Sequence, residues 1–211
     1  MIKKNARERR GAKAKTFLAG GFAALIFLSG LTLNLACHRA AVADKAEGPV
    51  PWNVKIVSDQ EPGEPLIVSG RIYSPDGQTP LEGITLYVYQ TDATGRYSTS
   101  GGDNRATRIH GVMRTNADGR YEFRTIKPAS YPNSRNPAHI HAYVSGPGYP
   151  EYWIDEYLFA EDPFLTDEAR QKSAGQKTFS PILSLTRGSD GILRAVRDIK
   201  IERCTRNCTG H

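Results

Sequence analysis

From residue 66 onward, hydrophobic positions come in short runs that alternate with polar ones, each run ending in turn chemistry. Leu66 to Tyr73 is rich in β-branched residues and stops at Ser74-Pro75-Asp76-Gly77, a turn sequence. Ile84 to Tyr89 alternates with a period of two, the signature of a half-buried strand. Val112–Thr115 and Tyr121–Arg124 flank Asn116-Ala117-Asp118-Gly119, which predicts a β-hairpin. His139–Val144, Ile182–Leu185 and Ile192–Ile201 read as further strands. The one helical candidate is the acidic stretch Leu165–Lys172. Closely spaced strands with almost no helix predict an all-β domain, an antiparallel β-sandwich or barrel with long loops and at most one short helix.

The first 43 residues follow a different pattern. Seven basic side chains stand before position 16 against the single acid Glu8, and residues 17–36 are an uncharged apolar run. This order reads as an export signal, with Ala41-Val42-Ala43 offering small residues for cleavage before Asp44. The same run is long enough to span a bilayer, so an uncleaved membrane anchor fits it too, and Cys37 could carry a lipid. The expected organisation is a signal or anchor over 1–43, an extended arm or linker over the Pro-, Glu- and Gly-rich 44–65, and a sandwich over 66–211. The expected location is therefore periplasmic or extracellular.

That division changes the meaning of the charge. The chain carries 28 basic and 22 acidic residues, net +6. Eight of the bases and one acid lie in residues 1–43, which leaves the remainder at −1. The basic character belongs to the targeting segment, and nucleic-acid binding is not expected. Beyond Ala43 only Cys204 and Cys208 remain, an even pair suited to a disulfide across the C-terminal tail in an oxidising compartment.

Candidate chemistry starts with His139 and His141. Residues i and i+2 of a strand point to the same side, so both imidazoles can reach one metal ion. Such a pair can also stand on a wet strand face without a ligand, and copper or zinc sites on sandwiches use it as well. Tyr97 follows the Ile84 strand and Tyr131 precedes the histidine strand. Two phenolates are hard anionic ligands that favour Fe(III) over softer ions.

Read together, these segments resemble the intradiol ring-cleavage dioxygenases, in particular the catalytic core of protocatechuate 3,4-dioxygenase. The matching motifs are Gly70-Arg71-Ile72, Pro80-Leu81-Glu82-Gly83, Val88-Tyr89-Gln90 leading to Gly95-Arg96-Tyr97, the run from Asn116 to Pro128, Tyr131-Pro132 and Pro137-Ala138-His139-Ile140-His141. The resemblance implies one non-haem Fe(III) held by Tyr97, Tyr131, His139 and His141. It implies a catechol-type substrate that displaces Tyr131, which takes up a substrate proton. O2 then opens the ring between the two hydroxylated carbons to give a muconate-type diacid. A monomer or homodimer is expected; the anchor reading of residues 17–36, drawn from their apolar run, would attach the protein to a membrane.

Two positions depart from the family's pattern. Asn136 stands where the family carries an arginine that stabilises charge on the attacked ring carbon, with Arg135 one place earlier. Glu156 stands where that arginine's glutamine partner is usual. Arg135, paired with Glu156, is expected to take over the role that Asn136 fills only weakly. The competing reading is a non-catalytic exported module of the transthyretin-like kind, whose sandwiches share the motifs of residues 68–128. It gives no reason for Tyr131 followed by His139 and His141.

Overall fold

A computed structural model describes residues 49–98 and 104–203. The signal or anchor segment, Cys37, Cys204 and Cys208 lie outside the described residues. The chain runs through β1 (Asn53–Lys55), β2 (Pro65–Tyr73), β3 (Thr85–Gln90), β4 (His110–Arg114), β5 (Arg120–Ile126), β6 (His139–Gly146) and β7 (Tyr149–Phe159). It continues with one helix, α1 (Asp167–Gln176), then β8 (Ile182–Leu183), β9 (Thr186–Arg187), β10 (Leu193–Val196) and β11 (Ile199–Lys200). Two sheets form: one in the order β1-β5-β2-β10-β9, with β11 continuing along β2, and one in the order β4-β3-β6-β7-β8.

The alternating runs place one face of each sheet inward. Val68, Ile72 and Phe123 from the first sheet meet Val88, Ala142 and Phe159 from the second, all fully buried. At about 25 cal/mol per Å2 of apolar surface, this shared layer supplies the main drive for folding. β3 is buried on both faces, because Tyr87 and Tyr89 on its outer side are covered as well. That covered outer face is where the candidate chemistry gathers.

Three expectations change. The turn at Asn116–Gly119 forms, with Gly119 at φ 70° and the Asn116 side chain accepting the amides of Asp118 and Arg120. It does not close a hairpin, because β4 pairs with β3 and β5 with β2, so this turn carries the chain from one sheet to the other. The sheets are mixed rather than antiparallel throughout, since β1–β5, β10–β2, β11–β2 and β7–β8 are parallel pairs. Period-two alternation is the same in both kinds of pairing, so the sequence pattern could not separate them. The strand expected over Ile192–Ile201 is broken at Arg197–Asp198.

The segment read as an arm carries β1 at the edge of the first sheet. The helix starts at Asp167, after Thr166, whose side chain accepts the Ala169 amide at 3.1 Å, and the acids Asp167 and Glu168 suit its positive end. No helix among the described residues is long and apolar enough to cross a membrane.

Candidate metal centre

His139 and His141 stand on the outer face of β6, each only 8% exposed, with their Nε2 atoms 3.1 Å apart. The other nitrogen of each ring faces an acceptor. His139 Nδ1 lies 2.7 Å from the Pro137 carbonyl, which only accepts, so the proton sits on Nδ1. His141 Nδ1 lies 2.9 Å from Glu156 Oε1, off the ideal hydrogen-bonding line, and a carboxylate, which only accepts, favours the proton on that nitrogen. Both Nε2 lone pairs therefore face one another.

Two loops bring the phenols to the same point. Asp92 organises the first, its Oδ1 accepting the amides of Thr94 at 2.8 Å and Arg96 at 3.1 Å. Gly95, at φ 75°, lets that turn lie on the Ser130 carbonyl, next to Tyr131. The Asp92 carbonyl accepts the Ala129 amide at 3.2 Å, and Thr91 Oγ1 donates to the Ala129 carbonyl at 2.9 Å. In the second loop Pro132 and Asn133, the latter at φ 60°, fill the central positions of a turn closed by the Ser134 amide on the Tyr131 carbonyl. Asp162 sets the entry to β6, with one oxygen on the Ala138 amide and the other on the Phe164 amide.

The result is a cluster of four donor atoms. Tyr131 Oη lies 2.8 Å from Tyr97 Oη, 2.9 Å from His139 Nε2 and 3.3 Å from His141 Nε2. Ligands about 2.0–2.1 Å from one ion, at tetrahedral to square angles, stand about 2.8–3.4 Å apart. The observed spacings fall in that range, and two bare imidazole nitrogens facing each other suit a cation better than each other. Two phenol oxygens with two imidazoles fit a hard trivalent ion such as Fe(III).

Burial dominates the electrostatics of the site. Burial pushes the Tyr97 phenol far above its ordinary range, and the Tyr131 contact adds to the shift. Burial raises Tyr131 as well and lowers His139, which keeps that imidazole neutral. Burial alone would raise Glu156, but the His141 contact and the nearby His139 outweigh it and hold the carboxyl below its usual value. His139, His141 and Glu156 also offer ligand atoms within 4.8 Å of one another. Glu156 approaches the Nδ1 edge of His141, however, away from the phenols, so it stands behind the ring. A carboxylate on the far nitrogen of a ligating histidine fixes its tautomer and raises its basicity.

The fold brings together Tyr97, Tyr131, His139, His141 and Glu156. It leaves Arg135 and Asn136 exposed. The Arg135 guanidinium lies 5.7 Å from the Phe164 ring, and the carboxylate expected to pair with it is on His141 instead. The expected Arg135–Glu156 pair is therefore replaced by a His141–Glu156 pair. Three contributors to the site were given no role there by the sequence. Tyr89, opposite His141 in the strand register, stacks on that ring at 4.5 Å, and Asp92 and Asp162 hold the two approaches. Only the turn sequence Asp92-Ala93-Thr94-Gly95 offered a local signal. Trp153 meets His141 edge-on at 4.7 Å.

A β-sandwich that gathers two tyrosines and two histidines on its outer face defines a class of candidate mononuclear metal proteins. Comparison with known proteins gives that class a family. The family model described as Dioxygenase matches residues 50–191. Catechol 1,2-dioxygenase 2 of Acinetobacter lwoffii is 27% identical over 162 residues, covering 69% of this chain and 53% of that protein. The protocatechuate 3,4-dioxygenase beta chain of Burkholderia cepacia is 34% identical over 120 residues, covering 52% of this chain and 51% of its own. Among solved structures, the dioxygenase domain of a dioxygenase–carbohydrate-binding fusion from Streptomyces sp. SirexAA-E superposes with a TM-score of 0.56 at 25% identity, covering 75% of this chain and 96% of that one. The chain belongs to the intradiol ring-cleavage dioxygenase family. It spans about half the length of the curated relatives it matches.

Proposed function

We propose that this protein is a non-haem Fe(III)-dependent intradiol dioxygenase that opens a catechol-type ring with O2 between its two hydroxylated carbons. The observation that carries the reading is the convergence of Tyr97 Oη, Tyr131 Oη, His139 Nε2 and His141 Nε2 within 3.3 Å of neighbouring donors. A module that only bound or spaced other proteins would have no use for that arrangement. Bound ferric ion would act as a Lewis acid and template for the two diol oxygens.

The residues divide the remaining work. Tyr97, His139 and His141 form the fixed side of the site, two of them on a strand and all three packed against rings. Tyr131 sits in a loop at the middle of the cluster, within reach of the three other donors. It is the residue placed to leave, and its Oη is the atom to take up a substrate proton. Its raised affinity for a proton favours that uptake. Tyr89 and Trp153 pack on the His141 ring and hold its orientation. The diacid product is of the muconate type, and we propose export through the N-terminal basic and apolar segments, with the folded part a monomer or homodimer.

The test is direct. The iron-loaded protein should be reddish from phenolate-to-iron charge transfer, should consume O2 with one or more members of a catechol panel, and should release a ring-opened diacid. A colourless preparation that cannot be loaded with iron would sink the reading.

A further inference from the structure

Arg197 sits where the chain breaks between β10 and β11. Its amide donates to the Ser69 carbonyl at 2.8 Å, and Asp198 Oδ1 accepts the Arg71 amide at 2.9 Å. The Arg197 carbonyl accepts Tyr121 Oη at 2.7 Å and presses on Gly70, where an added Cβ would stand 1.8 Å from that oxygen. The backbone is thus fixed to the first sheet, and the side chain crosses the sandwich to the second. Its guanidinium lies 4.2 Å over the Tyr157 ring, and Nη2 donates to the Asp155 carbonyl at 2.7 Å.

Arg197 is 4% exposed, and Nε and Nη1 have no hydrogen-bond partner among the described residues. No carboxylate among them lies within ion-pairing distance of it. A buried guanidinium with so little compensation is costly, so a packed core keeps one only for what it holds in place.

What it holds is a β-bulge. Ile140 pairs with Tyr157 and Ala142 with Ile154, so β6 advances by two residues while β7 advances by three. Asp155 and Glu156 together stand opposite His141. A bulge re-aims the side chains around its extra residue. This one leaves Ile154 and Tyr157 in the core while Glu156 turns outward to His141 Nδ1. The two residues that the Arg197 guanidinium touches, Asp155 and Tyr157, flank Glu156 on either side.

We propose that Arg197 is a positioning residue for the candidate metal centre: from the opposite sheet it fixes the bulge that aims Glu156 at His141. Through Glu156 it keeps the His141 proton on Nδ1 and the Nε2 lone pair facing the other three donors. The metal arm of this inference rests on the proposed function, whereas the tautomer arm does not.

The test uses the full chain carrying Arg197→Met or Arg197→Lys, each with and without Glu156→Ala. The 15N chemical shifts of His141 in the metal-free protein read its tautomer, and ferric titration reads affinity. Arg197→Met should mix the two His141 tautomers and weaken ferric binding about 10-fold, the scale expected for losing an outer contact to a ligand. Arg197→Lys, which keeps a donor but no planar face for Tyr157, should fall between. In the Glu156→Ala background, Arg197→Met should add less than about a 2-fold loss, because its route of action is already gone. A folded Arg197→Met with an unchanged His141 overturns the proposal, and so does an equal loss of affinity in both backgrounds. If Arg197→Met does not fold, the Arg197→Lys shift decides alone, and an unmoved His141 tautomer counts against the proposal. Failure of the wild-type protein to bind ferric ion would refute the metal reading, and the tautomer measurement would still judge Arg197.

Discussion

Gly95 lies directly on the carbonyl of Ser130: a Cβ at Gly95 would stand 1.9 Å from that oxygen. The contact joins the loop that ends in Tyr97 to the loop that begins at Tyr131, so the separation of the two phenols depends on the absence of one methyl group. Gly95 also sits at φ 75°, a conformation that costs a side-chain-bearing residue about 1–2 kcal/mol on its own. Gly95→Ala should therefore push the two loops apart while the sandwich, whose core lies elsewhere, stays folded. The expected outcome is a near-native circular dichroism spectrum with loss of most iron-dependent colour. Full colour in Gly95→Ala would show that the loops do not set the phenol spacing.

Asp92 gives that same loop a pH dependence. Burial would raise its pKa, but the hydrogen bonds from Thr94 and the Arg96 amide outweigh it and hold the carboxyl below its ordinary value. A carboxylate whose folded pKa is depressed adds stability that is present above the unfolded value of about 3.9 and is lost as pH falls through the folded one. Acid should thus loosen residues 92–97 below about pH 4, before global unfolding. Asp92→Asn should flatten that acid limb. Hydrogen exchange at the Thr94 and Arg96 amides across this range checks the point, and identical pH profiles for the two proteins would contradict it.

The four proposed metal ligands were legible because their chemistry is written locally. An H-x-H on a strand fixes a shared face, and Tyr131 and Tyr97 fall in motifs whose order along the chain matches a family. The supporting contacts are non-local and left no such trace. Tyr89 reaches His141 through strand register, Glu156 through a bulge, and Asp162 through a bond to Ala138, 24 positions away. The hairpin expected over Asn116–Gly119 failed for a related reason. The turn chemistry was read correctly, but a turn does not specify which strands its neighbours pair with, and here long-range pairing with β3 and β2 decided.

Asp162 is the contact whose loss should be felt most at His139. It is buried, and its two oxygens accept the amides of Ala138 at 2.9 Å and Phe164 at 2.8 Å. Asp162→Ala removes the acceptor of the buried Ala138 amide and of the half-buried Phe164 amide, which should cost about 2–3 kcal/mol. Asp162→Asn retains one acceptor oxygen and should lose about half as much. Urea denaturation of the metal-free proteins measures both, and the alanine variant should also bind iron more weakly because the start of β6 is no longer held. A loss below about 0.5 kcal/mol would place these amides in contact with water instead.

The phenols make a final prediction about protons. Tyr97 and Tyr131 are both raised above their ordinary values, chiefly by burial, so each carries its proton at neutral pH when no metal is bound. His139, lowered by burial, is already neutral there and has no proton to release from Nε2. Ferric ion binds phenolate, so loading should expel about two protons, one from each tyrosine. Affinity should accordingly rise with pH, by about tenfold per unit for each phenol proton displaced. Indicator-dye titration in weakly buffered solution counts the protons, after correction for those released by the ferric complex that delivers the metal. Tyr97→Phe and Tyr131→Phe should each lower the count by about one and shift the charge-transfer band. A proton count unchanged in either variant would mean that the missing phenol is not a ligand.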